Sequence, residues 1–306
     1  MKTHHPVLLM GLLAWLFGCG PDSPYTQKNG EWYYKKDKLS TEPGETLIPL
    51  NRKFAKSNRT AYFESSWLGD VDVATFEALT EHYAKDKHNV WYCDTHRDSK
   101  EYWSIKRYRT PHIAGADAPS FRMLDEYYAR DTTRVYHDGQ PFSVRDINTY
   151  ERLGDAHARD RFTGYFMRAE IKGSDGPTFS EISGSYSKDA KHVYYSKYDS
   201  NFGQHPPVER SVMLPGADPA TFQVLEHSYA SDAGQAYFND KVITKSVASF
   251  RLLDRGYAIA DNKVFYDGAV LTDADAATFE VLPVVSDSAS AQDKHGKFNY
   301  AKRITQ

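Results

Sequence analysis

A thiol, two carboxylates and an imidazole fall within six residues of one another, at Cys93, Asp94, His96 and Asp98. Asp94, His96 and Asp98 alternate, so on a strand they share one face, where mixed oxygen and nitrogen donors can ligate a metal. Such trios arise easily in polar hairpins, and no metal site is assigned. Cys93 becomes a nucleophile only where a neighbouring imidazole lowers its pKa; the expectation here is a plain unpaired thiol. Directly after comes Glu101-Tyr102-Trp103-Ser104-Ile105-Lys106-Arg107-Tyr108, a strand-like run that interleaves basic and aromatic side chains. Tyr, Trp and Arg dominate binding energy at protein interfaces. Tyr102, Trp103, Arg107 and Tyr108 are therefore the candidate partner-binding residues. The chain holds no Gly-x-Ser-x-Gly elbow, no His-Glu-x-x-His pair, no phosphate-cradling glycine loop and no dinucleotide fingerprint. No catalytic residue, metal or cofactor is assigned, and the chain reads as a non-enzyme. A dispersed acid pair of glycosidase type stays open among the 41 acidic residues.

These residues interrupt a repeat. In the pattern Asp-x-x-Thr-Phe-x-x-Leu, the aromatic recurs as Phe76, Phe121, Tyr150, Phe179, Phe222, Phe250 and Phe279. The basic period is about 29 residues, and two copies are enlarged by about 15. Four residues before each aromatic stand Asp72, Asp117, Asp146, Asp175, Asp218, Ser246 and Asp275, all good helix N-caps. Leu79, Leu124, Leu153, Ile182, Leu225, Leu253 and Leu282 follow three residues later, which predicts that both share one face of a short helical turn. A tyrosine then recurs (Tyr83, Tyr128, Tyr186, Tyr229, Tyr257), followed by an aspartate (Asp86, Asp131, Asp160, Asp189, Asp232, Asp261), a polar turn and an aromatic pair such as Trp91-Tyr92, Tyr165-Phe166 or Tyr194-Tyr195. Strand, Asp/Asn-rich turn, strand is hairpin chemistry. Trp32-Tyr33-Tyr34 and Tyr62-Phe63 suggest degenerate units at the front, and the last copy is expected to decay after Leu282, with Phe298 and Tyr300 as its remnant.

Asp86–Tyr92 (Asp-Lys-His-Asn-Val-Trp-Tyr), Asp189–Tyr195 (Asp-Ala-Lys-His-Val-Tyr-Tyr) and Asp261–Tyr266 (Asp-Asn-Lys-Val-Phe-Tyr) resemble the DKNYY repeat family, over residues 54 to 282. That family consists largely of bacterial envelope proteins of unestablished function, so the resemblance implies a repeat fold and supplies no catalytic residue. The expected fold is mainly β: tandem hairpin repeats with short helical turns, stacked openly rather than closed as a propeller or barrel. Neighbours on a strand face opposite ways, so one aromatic of each pair fills the core and the other needs a second layer or stands as an exposed ladder. A calcium role for the repeated aspartates is disfavoured, because each turn offers one dependable carboxylate and usually a base beside it (Lys85, Arg130, Arg159, Lys188). Insertions near 93–109 and 196–209 mark the candidate binding face; the second, with Asp199-Ser200-Asn201-Phe202-Gly203, reads as a longer loop.

Lys2 and an apolar run from Val7 to Phe17 have the length of a signal-peptide core and are too short to span a bilayer. Leu16-Phe17-Gly18-Cys19 resembles the lipobox of bacterial lipoproteins, which implies cleavage before Cys19 and lipidation of its thiol. The expected organisation is a signal peptide at 1–18, a lipid-anchored tether at 19–30 and a single repeat domain at 31–306. Gly20 after the cysteine favours the outer membrane, facing the periplasm or the surface. Loss of the leader removes one of 38 basic residues, Lys2, and no acidic one, so the net charge moves from −3 to −4. That balance exerts no pull toward nucleic acid. The function expected is a non-enzymatic envelope lipoprotein that binds a protein partner, of immunity or inhibitor type. The alternatives are a cell-wall or polysaccharide-binding module that uses the aromatic ladder, and an envelope hydrolase.

Overall fold

The computed structural model describes residues 23–97, 106–199, 208–283 and 289–304. They form a series of small antiparallel sheets with no α-helix among the described residues, and none of the sheets closes into a barrel. The chain divides into two compact units, residues 1–143 and 144–306.

Each regular repeat is a four-stranded meander. In Arg122–Met123, Tyr128–Arg130, Val135–His137 and Gln140–Phe142, every strand pairs with its sequence neighbour. The turns are set by residue type. Asp138-Gly139 has φ of 50° and 71°, and Asp267-Gly268 has 45° and 71°; this is the doubly left-handed geometry that matches strand twist in a two-residue hairpin. The glycine has a second reason to be there. A Cβ on Gly139 would lie 2.5 Å from Tyr92, and one on Gly268 2.3 Å from Phe238, both aromatics of another repeat in the same unit.

The expected helical turns are smaller than their spacing allows. Gly176–Thr178 and Val247–Ser249 are single 3-10 turns, and the other described copies are plain turns. The turn closes on its own polar groups: Thr75 N–H donates to Asp72 Oδ1 at 3.1 Å, and the Thr178 hydroxyl to Asp175 Oδ2 at 2.6 Å. One turn earns no cooperative propagation, and the chain passes at once into a two-residue strand such as Glu77–Ala78. The anchor and the aliphatic three residues on therefore face opposite ways, against expectation. Phe76 packs with Phe54, Phe63 and Trp91, whereas Leu79 packs with Tyr83, Tyr92 and Phe121.

The same alternation settles the aromatic pairs. Trp91 joins the core behind its sheet and Tyr92 the core ahead, at 1 % and 8 % exposure. Tyr165-Phe166 and Tyr194-Tyr195 are likewise buried. The second layer over these rings comes from a neighbouring repeat of the same unit, so they form no exposed ladder. Ring contacts tie the layers: Tyr83 lies 5.0 Å from Tyr92 and 5.9 Å from Phe121, and Tyr186 lies 5.2 Å from Tyr195 and 5.4 Å from Phe222.

Both ends are more complete than the sequence suggests. Tyr25–Lys28, Glu31–Tyr34 and Asp37–Lys38 make one sheet, and Ile48–Pro49 to Ser66–Leu68 a full four-stranded one. The last copy does not decay. Glu280–Val281, Ala291–Asp293, Gly296–Asn299 and Lys302–Arg303 form a regular meander, with Phe298 buried as the core aromatic.

Candidate functional site

The repeated charged and hydroxyl side chains are the first place to look for chemistry, and their partners show what they do. The turn aspartate is a hub. Asp189 Oδ1 accepts the N–H groups of Lys191 and His192 at 2.7 Å each, and Oδ2 accepts Asp175 N–H at 3.1 Å and the Tyr194 hydroxyl at 2.8 Å. Asp131, Asp160 and Asp232 repeat the set with Tyr136, Tyr165 and Tyr237. At Asp293 the Arg303 guanidinium takes the hydroxyl's place, with both contacts at 2.9 Å. Burial pushes the Asp131 carboxyl up, but the Tyr136 hydroxyl and the N–H groups of Thr133, Asp117 and Arg134 outweigh it and hold it down at about 2. Carboxylates filled in this way close turns.

Lysine and arginine beside the hub are staples between repeats. Lys85 Nζ donates to Phe121 O at 3.0 Å and Ala118 O at 3.3 Å. Lys56 reaches Phe76 O at 2.8 Å, Lys188 reaches Pro219 O at 2.7 Å, and Arg159 reaches Phe179 O at 3.1 Å. The recurring tyrosine does the same with its hydroxyl. Tyr83 donates to Tyr127 O at 3.1 Å and accepts Gly139 N–H at 2.7 Å; Tyr229 donates to Gly256 O at 3.2 Å and accepts Gly268 N–H at 3.1 Å. Sequence reasoning placed Lys85, Arg159 and Lys188 beside the aspartates but missed their targets, which lie 20 to 36 residues on. In copies without an insertion the base stands 20 residues before the next anchor, as Arg159 does before Phe179, and that spacing was the available signal.

His157 departs from the pattern, standing where other copies have the tyrosine. It is wholly buried, and its Nδ1 lies 2.8 Å from Glu181 Oε2, which also accepts His157 N–H at 3.0 Å. Its Nε2 has no hydrogen-bond partner among the described residues. Burial lowers its pKa, against the opposing pull of Glu181.

The first insertion opens as a two-stranded ribbon, Asp94–His96 against Arg107–Arg109. Tyr102 and Trp103 lie outside the described residues, as does Asp98. Tyr108 turns inward, against the core of Phe63 and Trp91, and its hydroxyl lies 2.7 Å from Ser65 Oγ. Lys106 pairs with the buried Glu64 and sits 5.3 Å from the Tyr108 ring centre. Arg107 and Arg109 point outward, and Arg109 meets Asp94 at 3.4 Å. The base of the ribbon is thus braced, and Arg107 is the one described candidate on its outer face. Cys93 is fully buried in that core; burial first, then the Asp94 charge, pushes its thiol up. No group of three metal-ligating side chains occurs among the described residues.

The second insertion differs from the loop expected. Val193–Asp199 and Val208–Met213 extend two repeat strands into a long hairpin. Cross-strand pairing continues past the polar residues because Ser196 and Ser211 meet at 2.7 Å between Oγ atoms. Arg168 braces the hairpin through Glu209, at 2.8 Å. Tyr198 and Met213 are exposed.

Residues 18–95 match the model of the DKNYY family. That stretch covers the first three sheets and enters the first insertion; the later copies follow by their own spacing. No curated protein and no solved structure matches the chain.

Proposed function

We propose that this chain, whose residues 18–95 match the DKNYY family model and whose later copies continue the same repeat, is a non-enzymatic binding scaffold of the bacterial envelope that recognises a protein partner. One observation carries the reading. The polar side chains that recur in the repeat are used up in its own hubs and staples, while two hairpins are elongated beyond the repeat and braced at the base. Rigid bases under variable hairpins suit recognition. An immunity or inhibitor protein is the concrete form, with Tyr102, Trp103 and Arg107 at the contact and Tyr108 fixing the ribbon. The alternative of a glycan ledge built from the aromatic pairs is less well supported, because their rings are buried or half-buried.

The address is part of the proposal. Leu16-Phe17-Gly18-Cys19 after the apolar run supports lipidation at Cys19 and an outer-membrane anchor, although Cys19 lies outside the described residues. Metabolic labelling with a palmitate analogue tests it, and label that persists in Cys19→Ala refutes it.

The partner is tested by affinity capture with residues 20–306 against envelope extract and the products of neighbouring genes. One protein should be recovered in near-equal amount, and both Trp103→Ala and Arg107→Ala should weaken it. Recovery that is indifferent to both substitutions removes the hairpin from the site.

A further inference from the structure

The first unit contains a cavity that neither the staples nor the elongated hairpins use. It measures 490 Å³ and lies along strand Ser66–Leu68. Trp67 on its rim is 60 % exposed, more than any other large hydrophobic side chain among the described residues. Tyr62, the cross-strand partner of Trp67, lines it too, with its hydroxyl committed to Ser40 O at 3.0 Å. The charged lining is Glu42, Glu45 and Asp70 facing Arg59. Glu45 is the odd member, for it is only 8 % exposed. Its Oε2 accepts Glu42 N–H at 2.9 Å, but its Oε1 is buried with no hydrogen-bond partner among the described residues. Buried polar atoms are nearly always partnered, so an unmet carboxylate oxygen in a cavity wall calls for a donor from the occupant. A second cleft of 510 Å³ shares Glu42, Glu45 and Arg59, so the space continues on the far side of those side chains.

The lining selects the occupant. It must donate to Glu45, accept from Arg59 and offer an apolar face to an exposed indole. A cation meets the carboxylates and is opposed by Arg59; an anion meets Arg59 and is opposed by three carboxylates. A flat hydrocarbon leaves the polar wall unmet. A sugar ring carries hydroxyls that both donate and accept, and a C–H face that stacks on tryptophan. We propose that this cavity binds a neutral saccharide chain, one ring stacked on Trp67 and its hydroxyls bridging Glu45 and Arg59. The site is separate from the hairpins and stands or falls independently of the protein-partner reading.

The test is a titration of the full chain with chitotetraose, cellotetraose and maltotetraose. It is read by tryptophan emission and calorimetry, with spermidine as the cationic control. At least one sugar should bind saturably at or below roughly 1 mM, with a blue shift as the exposed indole is covered. Trp67→Ala should weaken that binding roughly tenfold or more. Glu45→Gln, which keeps the shape and removes the charge, should weaken it severalfold. Val270→Ala, an exposed substitution in the second unit, should leave it unchanged. Both cavity variants should melt within a few degrees of wild type, Trp67 being on the surface. Three results overturn the proposal: no saturable binding of any of the three sugars, sugar binding that survives Trp67→Ala, or spermidine binding in their place.

Discussion

Asp131→Ala should be among the most damaging single substitutions in the first unit, although the residue lies in a surface turn. Its carboxylate accepts Thr133 N–H at 2.7 Å, Arg134 N–H at 2.8 Å, Asp117 N–H at 3.2 Å and the Tyr136 hydroxyl at 2.5 Å, and the residue is 2 % exposed. Alanine leaves these four donors, and the Thr133 hydroxyl at 2.9 Å, without their acceptor. A buried donor left unmet costs about 1–3 kcal/mol, and water entering the vacated space recovers part of this, so the expected loss is about 3–5 kcal/mol. Asp131→Asn keeps one acceptor oxygen and should lose about half as much. The depressed carboxyl measures the part of this that depends on the charge. A fall from 3.8 to about 2 corresponds to about 2 kcal/mol of differential stabilisation of the charged form. That stability is present above the unfolded value and disappears as pH falls through 3.8 toward 2. Urea unfolding followed by tryptophan fluorescence reads the first unit alone, since Trp32, Trp67, Trp91 and Trp103 all lie in residues 1–143. The exposed Asp37→Ala serves as control. A loss below about 1 kcal/mol in Asp131→Ala would refute the hub.

Lys85→Met keeps the apolar stem and removes the ammonium that spans Ala118 O and Phe121 O; urea unfolding should show a loss of about 1–2 kcal/mol, and no change would mean that the staple is idle. Gly268→Ala should lose more than about 3 kcal/mol in a circular-dichroism melt, because it combines a left-handed φ with a clash against Phe238. His157 has its pKa lowered, so the folded second unit resists protonation and the unfolded chain does not. Stability of that unit should be full above the unfolded value near 6.5 and decline as pH falls below it. Amide exchange in residues 144–306 at pH 7.5 and 5.5 checks the sign; equal protection at both would contradict it.

Much of the fold could be read from local pattern. The 29-residue spacing, the aspartate turns and the opposed aromatics follow from strand alternation and turn chemistry, and each is present in the structure. What escaped depends on register between segments. That Asp189 meets Tyr194 five residues ahead and Asp175 fourteen behind follows only once three strands are laid side by side. The anchor and its aliphatic were given one helical face, yet a single self-closed turn leads straight into a strand and turns Phe76 and Leu79 to opposite layers. Polar composition made the second insertion look like a loop, although Ser196 and Ser211 hold its strands together. The last copy was hidden by its own substitutions, with Arg303 in the tyrosine's role and eighteen residues where others have fourteen between Asp275 and Asp293. Trp67 holds the fourth-strand place that Pro141, Glu170 and Val270 hold in other copies, a place with no recurring residue type, and Glu45 lies outside the strands, so no periodic pattern points to their cavity.

Within every sheet the strands run in strict sequence order, each pairing with the one synthesised just before it. Contacts of such short chain separation carry little loop-closure entropy and form fast. A nascent chain can therefore complete one meander as soon as its roughly thirty residues are free, and within a unit a finished sheet then offers its forward face, with rings such as Tyr83 and Tyr92 already in place, as the template on which the following segment condenses. Assembly that proceeds from the leading end needs no distant partner and leaves few bare strand edges waiting at any moment, a kinetic advantage for a polypeptide that emerges a few residues at a time.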